Sequence, residues 1–201
     1  MSFKNINSGK LKFLAYLGLS LFVVLYALSA LSYPGGSDFH PHNQGFSIIE
    51  NYWCELLGEN AKNGGKNEAQ TSGILALITL NSTLTLLWYR ISKAIKTKTI
   101  LKQLIFFCGL GSVLFSSFVF TNWHDILIGI SVLLGLIAIF FTIFLFKNQR
   151  IFNLGLWCII LILLNVIIYF TNLGIYYLPL LQKFTFVCVL LWFLMLNFTI
   201  D

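Results

Sequence analysis

Six long apolar runs constrain this 201-residue chain more than any other feature of its sequence. Each run has about twenty residues, the length that an α-helix needs to cross the hydrocarbon core of a bilayer. Only 10% of the residues are charged, whereas soluble domains carry about 25%. The runs are Leu11–Leu31, Thr71–Arg90, Gln103–Phe120, Ile126–Phe146, Ile151–Phe170 and Leu178–Ile200.

These runs are continuously apolar, which separates them from the alternating strands of a membrane barrel. Backbone groups inside a bilayer must bond within their own segment, so each run is predicted to be a helix. Most connections between the runs are short, and short connections make successive helices antiparallel neighbours. The sequence therefore predicts an all-α, polytopic membrane protein, a single domain over residues 1–201 with six transmembrane helices in an up-down bundle.

The positive charges predict the orientation of this bundle. Ten of the thirteen Lys and Arg residues fall on the same side as the N-terminus, and three fall on the other side. Positive residues are enriched in cytoplasmic connections, so both termini are expected to be cytoplasmic. The ten are Lys4, Lys10, Lys12, Arg90, Lys93, Lys96, Lys98, Lys102, Lys147 and Arg150. The basic connection from Arg90 to Lys102 is expected to touch anionic lipid headgroups, so the net charge of +6 calls for membrane lipids as partners and no nucleic acid.

The connection Ser32–Gln70 is far longer than the others and is predicted to be extracytoplasmic. Connections of this length in a compact protein are usually functional or disordered. Within it, Phe46–Leu57 has apolar residues at helical spacing. We therefore expect one short amphipathic helix at the outer membrane interface, with Ser47, Glu50 and Glu55 on its water-facing side.

Acidic residues and histidines concentrate on the predicted outer side. Six of the seven acids and all three histidines lie in two stretches, Ser37–Gln70 and Thr121–Asp125; the seventh acid is Asp201. The residues concerned are Asp38, Glu50, Glu55, Glu59, Glu68 and Asp125, with His40, His42 and His124. Any chemistry of this protein is therefore expected at that face.

Some of these side chains suit a metal-assisted hydrolytic site. His40, His42 and His124 could bind a divalent metal such as zinc, which takes three protein ligands and a water in catalytic sites. Asp125 or Glu55 would then act as the base that removes a proton from the water. The alternative is structural: Asp125 stabilises the start of the fourth helix, where the helix dipole favours a carboxylate, and the loop histidines are solvated. The residues alone leave both interpretations open.

Two functions fit this pattern. One is a lipid-modifying enzyme, a metal-assisted hydrolase at the outer mouth of the bundle. The other is a non-enzymatic lipid-binding or accessory protein with the same mouth, so whether the chain is an enzyme stays open. A channel or transporter is disfavoured, because none of the six runs carries a charge in its middle third.

Three short motifs together resemble a known family. They are Tyr33-Pro34-Gly35-Gly36 after the first run, Asn51 to Gly58 (NYWCELLG) followed by Asn67 before the second, and His124-Asp125 at the start of the fourth. They are similar to motifs of the bacterial six-helix membrane proteins grouped with the damage-regulated autophagy modulators and the lipid-anchor remodelling proteins. The resemblance implies a lipid-handling role in the bacterial inner membrane, with Glu55, His124 and Asp125 as the residues that carry over.

Overall fold

The structure, a computed structural model, describes residues 4–96, 99–146 and 148–200. Within these ranges the chain forms six α-helices and two short 3-10 helices, together with isolated β-bridges. The α-helices are α1 Lys4–Leu31, α2 Gln70–Ala94, α3 Thr99–Ser116, α4 His124–Leu145, α5 Gln149–Thr171 and α6 Leu178–Thr199. Lys98, Lys147 and Asp201, which entered the charge analysis, lie outside the described residues.

Five of these helices, α1, α2, α4, α5 and α6, are long and apolar enough to cross a membrane. The all-α prediction is confirmed, and the five helices give the described chain the character of a membrane-embedded protein. The run predicted for Gln103–Phe120 differs: α3 starts at Thr99 and ends at Ser116, and residues 117–120 form turns. At this end of α3 the hydroxyls of Ser116 and Ser117 both donate to the Val113 carbonyl.

Each helix packs against the next one in the chain, and α6 also contacts α1 and α2. At one end of the bundle, Arg90 on α2 donates to Asn197 Oδ1 at 2.5 Å and to the Ile200 carbonyl at 2.9 Å. Asn197 in turn donates to the Lys12 carbonyl of α1 at 3.2 Å. Arg90 is therefore buried among helix ends, and the expectation that it lies in a lipid-facing loop is wrong.

The opposite end of the bundle carries residues 32–69, which we call the cap. Its two halves meet where Asn63 N–H donates to the Gly35 carbonyl at 3.2 Å. Gly36 lies beside this contact at φ +82°, and a Cβ there would come within 2.4 Å of Asn63 N. Only glycine fits this position, because a side chain would be strained and would push the two halves of the cap apart.

The prediction of a single amphipathic helix over Phe46–Leu57 is wrong. The chain makes one turn from Ser47 to Asn51, is extended at Tyr52, and then forms a 3-10 helix over Trp53–Leu57. The Asn51 side chain accepts from Ser47 N–H at 2.7 Å and the Ser47 hydroxyl accepts from Glu50 N–H at 3.2 Å. Such side-chain bonds satisfy the backbone locally and end the helical pattern.

Candidate functional site

Trp53 fixes the cap to the bundle. Its ring contacts three aromatic rings of α1 and α6, with centroid distances of 5.4 Å to Phe22, 5.7 Å to Tyr26 and 4.9 Å to Phe186. Aromatic side chains bury more apolar area than other residues and favour such tilted or edge contacts. The cap therefore lies over α1, α2 and α6.

Glu50 is the centre of the polar contacts in the cap. Its side chain accepts from the Ser37 hydroxyl at Oε2, and at Oε1 it meets His40 Nδ1 and the Tyr176 hydroxyl, each contact being 2.9 Å long. Ser37 and His40 belong to the cap, whereas Tyr176 lies between α5 and α6. Only 8% of Glu50 is exposed, so these donors replace most of the water that a carboxylate needs.

These contacts determine which ring nitrogen of His40 carries the proton. The hydrogen bond from His40, and then that from Tyr176, lowers the pKa of Glu50 below its ordinary value, so Glu50 is ionised at neutral pH. An ionised carboxylate only accepts hydrogen bonds, so His40 Nδ1 carries a proton. In the neutral imidazole, Nε2 then has a free lone pair, and His40 is exposed. A carboxylate that orients an imidazole in this way prepares Nε2 to accept or donate a proton.

Glu55, predicted to be a catalytic base on a wet helix face, is instead buried, with 9% of its surface exposed. Its Oε2 accepts from Asn51 Nδ2 at 2.5 Å, and its Oε1 is a buried atom without a hydrogen-bond partner among the described residues. Burial raises the pKa of Glu55 above its ordinary value, although the hydrogen bond from Asn51 opposes this.

Lys183 of α6 contacts the same segment of the cap. Its ammonium donates to the Asn51 carbonyl at 2.5 Å and to the Pro179 carbonyl at 3.2 Å, and it sits 5.3 Å from the Phe46 ring centre. Lys183 therefore ties α6 to the cap directly beneath the turn that presents Glu50.

The predicted residues of the fourth helix form a separate pair. His124 Nδ1 lies 3.0 Å from Asp125 Oδ1 in the first turn of α4, and the Asp125 side chain is 73% exposed. Asp125 interacts with Tyr169 of α5, and among the described residues neither side chain of the pair makes a hydrogen bond or ion pair with the cap. His124 Nε2 is buried and has no hydrogen-bond partner within the described ranges. The approach of His40 or His42 to His124, which the predicted zinc site requires, is not observed.

The histidines do not converge on a metal site. Over the described ranges, no three His, Cys, Asp or Glu side chains come close enough together to hold a metal ion. His40 is engaged by Glu50, His42 is exposed on the cap, and His124 is paired with Asp125. The three histidines therefore do not form the zinc site that the sequence predicted.

Sequence reasoning missed Ser37 and Tyr176, two of the three donors to Glu50. Ser37 is the first residue of the acidic and histidine-rich stretch Ser37–Gln70, but no motif marks it as a partner of Glu50. Tyr176 is 126 residues from Glu50 in the chain, and nothing in the sequence links the two. Tyr176 also contacts the Phe39 ring at a centroid distance of 5.0 Å, so an aromatic pair next to His40 accompanies the polar contact.

No protein-family model, curated protein or solved structure matches this chain. The resemblance to the bacterial six-helix proteins therefore depends on the three motifs quoted above. Two of them, Tyr33 to Gly36 and Asn51 to Gly58, lie in the cap and form part of the hydrogen-bonded framework around Glu50. The third, His124-Asp125, lies apart from it.

Proposed function

We propose that this chain is an integral protein of the bacterial inner membrane that acts on the polar headgroups of membrane lipids. Both termini are cytoplasmic, the six helices all span, and the cap lies on the extracytoplasmic side. The distribution of Lys and Arg supports this orientation. The shorter helix α3 has 18 residues, a length of about 27 Å at 1.5 Å per residue, which is close to the thickness of the hydrocarbon core.

The surroundings of Glu50 support a site at headgroup depth. Ile48 and Ile49, which precede Glu50, are exposed, and so are Leu173 and Tyr177 on either side of Tyr176. Exposed apolar and tyrosine side chains are typical of the interface between lipid tails and water. A lipid beside this rim would bring its headgroup to His40 without leaving the bilayer.

The observation that carries the proposal is the contact between His40 and Glu50. His40 Nε2 would accept a proton from the attacking water, and Glu50 would stabilise the imidazolium that forms. The same Nε2–H would then donate to the leaving oxygen of the lipid. General acid–base catalysis of this kind contributes about 10²- to 10⁴-fold to a rate. The proposed reaction is hydrolysis of a lipid headgroup ester.

The test is lipid turnover by the purified protein in vesicles of phosphatidylethanolamine and phosphatidylglycerol, followed by mass spectrometry of the lipids. Substituting His40→Gln removes the oriented imidazole and should lower the rate by about 10²-fold or more. His42→Gln is the matched control, because His42 is an exposed cap histidine that makes no contact with Glu50, and it should retain the rate. Equal rates in the two variants would contradict the assignment of His40.

Non-enzymatic lipid binding is the second candidate. The contact of Glu50 with Tyr176 favours it, because this contact joins the cap to the α5–α6 connection. Such a contact stabilises a binding surface whether or not a reaction takes place there. The same vesicles distinguish the two functions. Lipid that copurifies and exchanges saturably, with no product from any headgroup class, would support binding and exclude the proposed hydrolysis.

A further inference from the structure

Two of the four cysteines meet inside the bundle. Cys158 Sγ on α5 and Cys188 Sγ on α6 are 3.5 Å apart. Each residue lies near the midpoint of its helix, far from both ends of the bundle. Cys158 is fully buried, whereas Cys188 is partly exposed. Access to the pair is therefore through Cys188.

Contacts on both sides of the cysteines hold α5 and α6 in register. Toward the cap, Asn165 Nδ2 donates to the Thr185 hydroxyl at 2.7 Å. Toward the other end, Trp192 Nε1 donates to the Ile151 carbonyl at 3.2 Å. A disulfide needs the two sulfur atoms at about 2.05 Å, and small side-chain rotations can supply the remaining approach. The sulfur contact is thus a fixed feature of the α5–α6 interface.

We propose that Cys158 and Cys188 are a reversible dithiol–disulfide pair that a lipid-soluble quinone oxidises within the bilayer. The depth of the pair selects the oxidant, because polar oxidants do not enter the hydrocarbon core. Two S–H bonds break and one S–S bond forms, and the two electrons and two protons reduce the quinone to a hydroquinone. The product joins α5 covalently to α6 and fixes the helix pair that carries Tyr176 at its connection.

The other two cysteines have no such arrangement. Cys54 lies in the cap, outside the α5–α6 interface. Cys108 lies on α3, which does not share the α5–α6 interface. Oxidation is therefore expected to consume one pair of thiols and leave the other two unchanged.

The experiment treats the full-length protein in lipid nanodiscs with decyl-benzoquinone, then unfolds it and alkylates the remaining thiols. The number of alkylated cysteines should fall by two, one hydroquinone should form per protein, and a peptide map should show Cys158 joined to Cys188. Dithiothreitol added after unfolding should restore both thiols. Cys108→Ser is the matched control and should also lose two thiols, whereas Cys188→Ser should lose none.

Three results would overturn the proposal. They are an unchanged number of thiols in the wild-type protein, a quinone adduct on a single cysteine, and a disulfide that joins two copies of the chain. The wild-type protein alone distinguishes each of these results from the predicted disulfide between Cys158 and Cys188. A folding defect in Cys188→Ser would therefore leave the test intact.

Discussion

Truncation of Trp53 to alanine is expected to lower the free energy of cap opening by about 3 kcal/mol. This is the usual cost of removing a large aromatic side chain from a packed site. Trp53 contacts Phe22, Tyr26 and Phe186, so its removal leaves a void between α1, α6 and the cap. Hydrogen exchange of the cap amides measures this opening directly.

Two controls separate packing from the mere presence of a tryptophan. Trp123→Ala makes the same change at a residue that is 67% exposed at the start of α4, and it should change cap exchange very little. Trp53→Phe keeps an aromatic ring and removes an indole N–H that has no partner among the described residues, so it should preserve most of the stability. Equal exchange in Trp53→Ala and Trp123→Ala would show that the cap is not held by this contact.

Gly73→Ala is expected to destabilise the protein by about 1–3 kcal/mol, although alanine is the better helix former. A Cβ at Gly73, in the first part of α2, would come within 2.7 Å of the Leu56 carbonyl oxygen and 3.1 Å of Ser29 Oγ. The nearer atom is backbone, so a side-chain rotation cannot relieve the clash and the cap must move away from α2. Reversible unfolding in mixed micelles measures the change.

Gly129→Ala is the matched control for this substitution. Gly129 also lies in an apolar helix, α4, but a Cβ there would have no atom within 4 Å. Its replacement should be neutral or should stabilise the helix by up to about 1 kcal/mol. Only Gly73→Ala is therefore expected to destabilise the protein. A Gly73→Ala variant as stable as Gly129→Ala would mean that the 3-10 helix of the cap does not pack against α2.

The helices could be predicted from the sequence because lipid imposes a simple rule. A continuous apolar run of about twenty residues must satisfy its own backbone, and a helix does so. The boundaries could not be predicted as closely. α3 stops at Ser116, whereas the apolar pattern continues to Phe120.

The cap could not be predicted from periodicity. The helical spacing of apolar residues between Phe46 and Leu57 suggested that Glu50 and Glu55 face water, yet both are buried. The side-chain bonds between Ser47 and Asn51 end the helix after one turn, and the extended Tyr52 turns the following residues toward the bundle. Hydrogen bonds within the cap therefore decide its local structure, and the spacing of apolar residues does not.

The grouping of candidate site residues was predicted in part. The sequence placed His40 and Glu50 in one outer loop, and the structure joins them. It also placed His124 and Asp125 at the same end of the bundle, but Trp53 packs the cap on α1 and α6, and the hydrogen bonds of His40 lead to Glu50 instead. The distant Tyr176 could be found only from the fold.

The central claim is that Glu50 holds the His40 imidazole in one tautomer with Nε2 free. Nitrogen-15 NMR of histidine-labelled protein tests this directly, because the chain has only three histidines. At a pH where the imidazoles are neutral, His40 should show a protonated Nδ1 and an unprotonated Nε2, and His42 should show the mixture of tautomers typical of a solvated side chain. Glu50→Gln should shift the His40 signals toward that mixture. Wild-type signals of His40 that match those of His42 would contradict the account.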